Sequence, residues 1–344
     1  MTLALSYASG ASDKPLLGST IGEFFNYAVK HYSDREAIVS IHQQVRLTYW
    51  QLAERVDILA KAFIQADFKK GDRIGIWSPN NVEWLITQYA TAKVGLILVT
   101  INPAYRSHEL AYVLKQSGCK GLVLQNKFKS SNYEQMLCEL CPELRKVSPG
   151  KLVSKEFELL TTIISTTESP ISGIYSWDEF NHLGNESSDQ LLVSRLEDQD
   201  MDDPINIQYT SGTTGFPKGA TLSHHNILNN GYFVAETMNF DESDRLVVPV
   251  PLYHCFGMVM ANLGCLTHGA CAIYPSEAFE PEAVLDAVQK EKATALYGVP
   301  TMFIAELALP NFSEYDLKTL RTGIMAVSYT HLRAHETRGN LVCR

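Results

Sequence analysis

Short apolar stretches alternate with amphipathic stretches along the first half of the chain, and this alternation restricts the fold more than any other property of the sequence. Residues 73–77, 97–99 and 121–124 are predicted strands, and residues 82–94 and 108–116 between them have helical spacing. Such an alternation is typical of a mostly parallel sheet that is flanked by helices. The sequence therefore predicts an α/β fold.

Local signals at helix starts support this interpretation. Thr20 with Glu23, and Thr48 with Gln51, each have the spacing of a capping box, in which two side chains close the first turn of a helix. Pro281 lies in the first turn of a further predicted helix, where a proline is tolerated. In the second half, strands are predicted at 245–248, 270–274 and 295–297, and helices at 257–266 and 301–307.

Composition and periodicity divide the chain into four parts. An N-terminal extension, residues 1–18, precedes a first α/β subdomain at 19–200. From 147 to 203 periodicity is poor and Ser, Thr, Glu and Asp are frequent, which favours an irregular surface segment. Residues 201–326 are predicted to hold a glycine-rich loop and part of a second α/β subdomain, and residues 327–344 form a tail.

Residues 209–219 read Tyr-Thr-Ser-Gly-Thr-Thr-Gly-Phe-Pro-Lys-Gly and indicate phosphate binding. Glycines let backbone N–H groups approach an anion, hydroxyls add uncharged donors, and Lys218 adds a positive charge. Residues 205–209 and 220–222 have strand character, so the loop is predicted to open and close over phosphates between two strands. The predicted site for a nucleoside triphosphate consists of Thr210, Ser211, Gly212, Thr213, Thr214, Gly215, Phe216, Pro217, Lys218 and Gly219.

This loop is not a Walker A loop, because Pro217 precedes its lysine and Gly219 follows it, whereas that motif ends in Gly-Lys-Ser/Thr and opens a helix. A flexible Gly/Ser/Thr linker is the alternative interpretation, since runs of this composition are often only flexible. The lysine, the proline and the apolar strands on both sides favour the phosphate site.

The eleven residues resemble the signature loop of the adenylate-forming superfamily, which contains acyl-CoA synthetases, luciferases and the adenylation domains of peptide synthetases. Residues 95–105 and three later segments also resemble acyl-CoA synthetase motifs, in the superfamily's order. The resemblance covers residues 15–326 and is strongest to the medium-chain acyl-CoA synthetases that are described as mitochondrial. The later segments are Ser223-His224-His225-Asn226, Pro251-Leu252-Tyr253-His254-Cys255-Phe256-Gly257 and Tyr297-Gly298-Val299-Pro300-Thr301-Met302-Phe303.

The resemblance implies the large N-terminal domain of these enzymes as the fold and a reaction in two steps. A carboxylate attacks the α-phosphorus of ATP to give an acyl-adenylate and pyrophosphate, and the sulfur of coenzyme A then displaces AMP. A fatty acid, ATP and coenzyme A are the implied substrates, and Mg²⁺ is the implied ion. The residues that the resemblance places near the substrates are His254, Val299, Thr301, Met302, Gly323 and Ala326.

The residues alone and the resemblance favour different roles for His254. A lone histidine among apolar neighbours is more often a hydrogen-bonded core residue than a catalyst. The resemblance reverses this preference, and it implies that His254 positions substrate and does not transfer a proton.

After Ala326 the chain departs from the superfamily, which would continue with Gly-Ser, and a polar, basic segment without helical period follows. This segment resembles a string that is appended to many unrelated protein sequences. We therefore expect residues 327–344 to be non-native, or alternatively derived from splicing, and in either case disordered. The superfamily's later motifs, catalytic lysine and small C-terminal domain are expected to be absent. No catalytic residue and no metal ligand is assigned, and the chain is expected to be inactive by itself.

Charge and composition limit the partners. The net charge of −9 gives no support for nucleic-acid binding, and no apolar run reaches the length of a membrane span. Seven scattered cysteines indicate a reducing compartment, and the oligomeric state stays open. The resemblance implies mitochondria, but the N-terminal residues lack an arginine-rich presequence, which predicts a cytoplasmic protein if this start is authentic.

Two other functions stay open from the sequence. One is a catalytically dead product that binds ATP or a partner, which the expected absence of the later motifs favours. The other is an adenylate-forming enzyme of different outcome, such as a luciferase-like protein or an amino-acid adenylating protein. Amino-acid adenylation requires an aspartate for the α-amine, and between residues 232 and 261 the candidates are Asp241 and Asp244, both in a polar turn.

Overall fold

The computed structural model describes residues 13–210 and 217–326, so the predicted tail and most of the predicted N-terminal extension lie outside the described residues. A π-helix spans Phe256–Leu263. Within the described residues, no helix combines the length and apolar composition needed to cross a membrane. The strands are β1 (Glu36–Ser40), β2 (Val45–Thr48), β3 (Arg73–Trp77), β4 (Ile97–Ile101), β5 (Gly121–Leu124), β6 (Lys127–Phe128), β7 (Ser131–Asn132), β8 (Thr162–Ser165), β9 (Tyr175–Ser176), β10 (Pro204–Thr210), β11 (Lys218–Ser223), β12 (Arg245–Val247), β13 (Cys271–Tyr274), β14 (Ala295–Gly298) and β15 (Thr322–Met325). The α-helices are α1 (Ile21–Tyr32), α2 (Tyr49–Gln65), α3 (Val82–Lys93), α4 (Ser107–Ser117), α5 (Tyr133–Leu140), α6 (Trp177–Leu183), α7 (Asp189–Glu197), α8 (His224–Thr237), α9 (Gly264–His268), α10 (Pro281–Lys290) and α11 (Pro300–Leu307).

A seven-stranded sheet with the strand order β11-β10-β4-β3-β5-β8-β9 confirms the predicted α/β alternation. Its neighbouring strands are parallel except in the β10–β11 hairpin. β3 and β5 have the predicted bounds, because each is a short, almost wholly buried run. The carboxyl ends of the parallel strands lie along one edge, where open α/β sheets bind their ligands.

A six-stranded sheet with the order β15-β14-β12-β13-β1-β2 joins strands that are far apart in the chain. β1 pairs with β13, with Ile38 opposite Ala272. β10 and β11, which were predicted in the second subdomain, instead extend the seven-stranded sheet, with Asn206 opposite Leu98. The predicted boundary at residue 200 therefore does not separate the two sheets, because periodicity identifies strands but not their partners.

The segment at 147–203 is more ordered than its composition predicted, although residues 147–161 contain no helix or strand. β8 lies within it, is buried along its whole length and pairs with β5. Phe180 of α6 is fully buried beside Phe63 of α2, with ring centroids 5.3 Å apart. The prediction failed because β8 has only four residues and its flanks are rich in Ser and Thr, which leaves no periodicity to detect.

Both predicted capping boxes are present, with Thr20 closing the first turn of α1 and Thr48 that of α2, and α10 begins at Pro281. α3 follows β3, and all of its residues except Glu83 are buried. The side chain of Gln88 in α3 donates to the carbonyl of Met258 at 3.1 Å. A helix that is buried on nearly all sides is a rigid support, and α3 links the seven-stranded sheet to the π-helix.

Candidate functional site

The predicted phosphate loop connects β10 to β11 at the carboxyl edge of the seven-stranded sheet. The last pairs of the hairpin place Tyr209 opposite Gly219 and Thr210 opposite Lys218, which confirms the predicted pair of strands around the loop. The remaining members of the predicted site lie outside the described residues, and they are Ser211, Gly212, Thr213, Thr214, Gly215 and Phe216.

Side chains and backbone hold the base of this hairpin. The hydroxyl of Tyr112 in α4 donates to the carbonyl of Pro217 at 3.1 Å. The hydroxyl of Thr210 lies 3.4 Å from the carbonyl oxygen of Lys218. The C-terminal end of the loop is therefore attached to α4, and the two ends of the loop are attached to each other.

The base of the hairpin combines a tightly packed glycine with an exposed lysine. A Cβ at Gly219 would lie 3.0 Å from Cγ2 of Ile207 and 3.3 Å from the ring of Tyr209, so a larger residue would have to displace these neighbours. The side chain of Lys218 is exposed and has no ion-pair partner among residues 13–210 and 217–326. Its charge is therefore available to a ligand.

Asn80 joins the carboxyl edges of the two sheets. It follows β3 of the seven-stranded sheet, and its side chain binds the segment that follows β12 of the six-stranded sheet. Its Nδ2 donates to the carbonyl of Val250, and its Oδ1 accepts from the N–H of Leu252, each at 2.9 Å. The sequence shows only that a strand ends near Asn80, because its partners lie 170 and 172 residues away.

Gly257 allows a close approach of two backbone segments near this junction. A Cβ at this position would lie 2.6 Å from the carbonyl oxygen of Pro251 and 2.9 Å from Cα of Leu252. The N–H of Gly257 also donates to the carbonyl of His254 at 3.0 Å. Glycine is therefore required here by packing.

Replacement of Gly257 by alanine is expected to lower the free energy of unfolding by about 1–3 kcal/mol, because the methyl group forces backbone to move. Gly264→Ala is the matched control, since the nearest atom to its Cβ would be 3.5 Å away. Urea denaturation of both variants measures the difference. Equal stability of the two would contradict the close approach at Gly257.

His254 is half-buried, and the backbone orients its ring. The N–H of Phe256 donates to Nδ1 at 3.1 Å, so the neutral ring carries its proton on Nε2. Burial lowers the pKa of His254, which keeps the ring neutral at neutral pH. Within the described part of the chain Nε2 has no hydrogen-bond partner, which leaves it free to donate to a substrate oxygen.

The helix predicted at 257–266 is instead a π-helix over Phe256–Leu263, followed by α9. Side chains of Gln88, Tyr89 and Tyr297 donate to three carbonyl groups of the π-helix. π-Helices are rare and occur frequently at functional sites. The prediction of a helix in this segment is confirmed, but its π-type turns could not be predicted because the donors that support them come from distant elements.

The residues that the resemblance placed beside the acyl group lie around the carboxyl ends of β14 and β15. The N–H of Ala326 donates to the carbonyl of Gly298 at 3.2 Å, and the N–H of Met302 donates to that of Val299 at 2.9 Å. Val299, Met302 and Ala326 are half-buried against the core that includes the π-helix. Thr301 is exposed in the first turn of α11.

Gly323 lies inside β15 and not at its carboxyl end. It is opposite Leu296 of β14, and a Cβ at Gly323 would overlap the carbonyl oxygen of Leu296. Close packing of the two strands therefore accounts for this glycine without any substrate.

The hairpin and the His254 segment approach each other. Nε2 of Gln208 in β10 lies 3.8 Å from the sulfur of Met258 in the π-helix. The structure thus brings the base of the predicted phosphate loop and the predicted substrate-positioning segment to one region.

Comparison with known proteins identifies the class of protein to which this fold and site belong. The model of the AMP-binding enzyme family matches residues 25–338. The chain belongs to the AMP-binding enzyme family.

Two curated relatives show which members of the family it resembles. It is 45% identical over 313 residues to the putative acyl-CoA synthetase YngI of Bacillus subtilis, and 43% identical over 330 residues to the mitochondrial medium-chain acyl-CoA ligase ACSF2 of Mus musculus. These alignments cover 91% and 94% of this chain, but 57% and 53% of the relatives. The chain therefore spans about half the length of the curated relatives it matches.

Solved structures confirm the fold. The anthranilate CoA ligase AuaEII, in complex with anthranoyl-AMP, superposes with a TM-score of 0.77 at 23% identity, over 93% of this chain and 57% of that one. The N-terminal domain of FACL13 from Mycobacterium tuberculosis superposes with a TM-score of 0.73 at 22% identity, over 92% of this chain and 72% of that one. The predicted fold, that of the large N-terminal domain of adenylate-forming enzymes, is confirmed.

Proposed function

We propose that this chain is the ATP- and fatty-acid-binding part of a medium-chain acyl-CoA synthetase. In that reaction a fatty acid and ATP form an acyl-adenylate, and coenzyme A then takes the acyl group. The observation that carries the proposal is the β10–β11 hairpin, which holds the hydroxyl- and glycine-rich loop and Lys218 at the carboxyl edge of the sheet. The identity of 43% to a protein named as a medium-chain acyl-CoA ligase supports the choice of acid.

In this function the residues of the chain bind and orient the substrates. The hydroxyls and N–H groups of the loop donate to the phosphates, and Lys218 neutralises part of their charge. The Nε2–H group of His254 donates to an oxygen of the acid or of the α-phosphate, which holds the two reacting groups together. Val299, Met302 and Ala326 provide the apolar wall for the acyl chain.

Magnesium is the ion that the family reaction implies, and it would neutralise phosphate charge. Among residues 13–210 and 217–326, no group of three or more His, Cys, Asp and Glu side chains could hold a metal ion. Coenzyme A enters only as the second substrate.

The position of the two aspartates argues against amino-acid adenylation. Asp244 is 1% exposed and precedes β12, at the end of the sheet opposite to His254. It accepts from the hydroxyl of Thr294 and pairs with Arg321, so it is fully engaged. Asp241 is exposed in the same turn and binds Ser243. Neither aspartate can reach an α-amine at the carboxyl edge.

The name of one relative is the basis on which a cellular compartment is proposed for this chain. The Mus musculus relative is named as mitochondrial, and we propose the same compartment for this chain. Fractionation of cells that express a C-terminally tagged copy tests this, and recovery in the cytosolic fraction alone would contradict it.

Lys218→Ala is expected to weaken ATP binding about tenfold, which corresponds to the loss of one charge-assisted contact. The melting temperature is expected to stay the same, because the side chain is exposed. Titration calorimetry with ATP and magnesium measures the affinity. Lys155→Ala is the matched control, since Lys155 is also exposed and has no ion-pair partner in the described ranges. Equal affinity in all three proteins would contradict the role of Lys218.

ATP–pyrophosphate exchange tests the function itself. In the chain extended to the full length of its curated relatives, exchange that depends on octanoate and not on phenylalanine is the expected result. Exchange that depends on phenylalanine would overturn the choice of acid. ATP binding without exchange would instead support the alternative of an inactive nucleotide-binding protein.

A further inference from the structure

We propose that Asn80 is a positioning residue that sets the location of His254 and so supports substrate binding at the site. Asn80 is 2% exposed, and both polar atoms of its side chain are used. The carboxamide donates to the carbonyl of Val250 and accepts from the N–H of Leu252, which is the pair of hydrogen bonds that a neighbouring β-strand would make. Asn80 thereby links two separate sheets. It therefore sets the distance between their carboxyl edges at the point where the site lies.

A short series of contacts connects the two side-chain hydrogen bonds of Asn80, which form a clamp on residues 250–252, to the imidazole ring of His254. Leu252 is two residues before His254, and the N–H of His254 donates to the carbonyl of Pro251 at 3.3 Å. Gly257 then packs directly on Pro251, and the N–H of Phe256 binds Nδ1 of His254. A shift of the clamped residues is therefore transmitted to the ring, because each link is a backbone contact.

Backbone contacts fix the position of Asn80, so its side chain can determine the position of the segment that it binds. Its backbone N–H donates to the carbonyl of Glu277, which follows β13. The next residue, Asn81, caps α3 by accepting from the N–H of Trp84 at 2.8 Å. The end of β3, the start of α3 and the end of β13 thus converge on this residue.

A second asparagine in the chain makes the same kind of clamp away from the site. Asn229 of α8 accepts from the N–H of Leu17 at 2.7 Å and donates to the carbonyl of Leu17 at 3.1 Å, and it is 6% exposed. It attaches the N-terminal segment and contacts no predicted site residue. Asn80→Ala removes two buried hydrogen bonds, and Asn229→Ala removes three partly buried ones, because Asn229 also donates to the carbonyl of His225. The control therefore loses at least as many hydrogen bonds to backbone as the test variant.

The experiment compares Asn80→Ala with Asn229→Ala in two measurements. The first is the affinity for octanoyl-sulfamoyl-adenosine, a non-reactive mimic of octanoyl-adenylate, by titration calorimetry. The second is the pKa of His254 by NMR of the ring, assigned with His254→Gln. Asn80→Ala is expected to weaken binding about tenfold, and to raise the pKa of His254 toward 6.5 as the segment loosens. Asn229→Ala is expected to change neither.

The following results would contradict the proposed role of Asn80. Equal binding by both variants together with an unchanged pKa of His254 would overturn it, as would equal loss in both. If Asn80→Ala does not fold, Asn80→Ser replaces it, because its short hydroxyl cannot make the paired hydrogen bonds to Val250 and Leu252 but adds no charge. A wild-type affinity and an unchanged His254 pKa in that variant would then contradict the proposal. The effect on binding rests on the proposed function. If the wild-type chain does not bind the mimic, that function fails, whereas the pKa of His254 still tests the role of Asn80.

Discussion

Asp244→Ala is expected to lower the free energy of unfolding by about 3 kcal/mol, at the low end for breaking a buried ion pair. The carboxylate is 1% exposed, accepts from the hydroxyl of Thr294, and accepts from Nε of Arg321 at 3.1 Å. Its loss removes an acceptor from the hydroxyl of Thr294, from the backbone N–H of Asp241 and from Arg321, although Arg321 keeps two backbone carbonyls as acceptors. The value lies at the low end because the side chain of Arg321 is partly exposed and keeps contact with water.

Asp241→Ala is the control for this prediction, since Asp241 lies three residues away in the same turn but is exposed. Its replacement is expected to change the free energy of unfolding by less than about 0.5 kcal/mol. Urea denaturation of both variants gives the comparison. If Asp244→Ala proved as stable as Asp241→Ala, the structural role of Asp244 would be refuted, and the argument against amino-acid adenylation would weaken with it.

Trp77→Ala is expected to cost about 3–5 kcal/mol of unfolding free energy, the range for removing a large aromatic side chain from a core. Trp77 ends β3 and is fully buried. Its indole stacks on Tyr133 with ring centroids 3.7 Å apart, and its N–H donates to the carbonyl of Asn102 at 3.2 Å. The variant therefore loses burial, a stacked ring and a hydrogen bond at the edge that carries the site.

Trp50 offers a matched control, because its side chain is 55% exposed on α2. Trp50→Ala is expected to change stability by less than about 1 kcal/mol. Guanidinium denaturation followed by circular dichroism measures both variants. A loss at Trp77 no greater than the loss at Trp50 would show that the β3 edge does not depend on this ring.

Local features of the fold could be predicted because neighbouring residues encode them. Thr20 and Glu23 lie in one turn, so their mutual hydrogen bonds are visible as a spacing. The bounds of β3 and β5, and the two strands around the phosphate loop, follow from runs of a few residues. β8 escaped prediction because four residues flanked by Ser and Thr carry no period.

Some residues of the candidate site could be predicted from the sequence, and others could not. Lys218 and His254 could be identified from the strings that contain them. Asn80 could not, because its side chain acts on Val250 and Leu252 across the junction of two sheets. Gly323 lies in a string that resembles the family, but the structure explains it by packing against Leu296.

The sequence by itself determined the α/β alternation, the helix starts and the two strands around the predicted phosphate loop, because each depends on residues that are close together in the chain. Only the tertiary structure decided which strands pair, why residues 256–263 adopt a π-helix and how the carboxyl edges of the two sheets meet. These depend on contacts such as Ile38 with Ala272 and Asn80 with Val250, whose partners are separated by about half of the chain or more. No local pattern records such contacts, because the free energy that favours them arises only when distant segments are packed together.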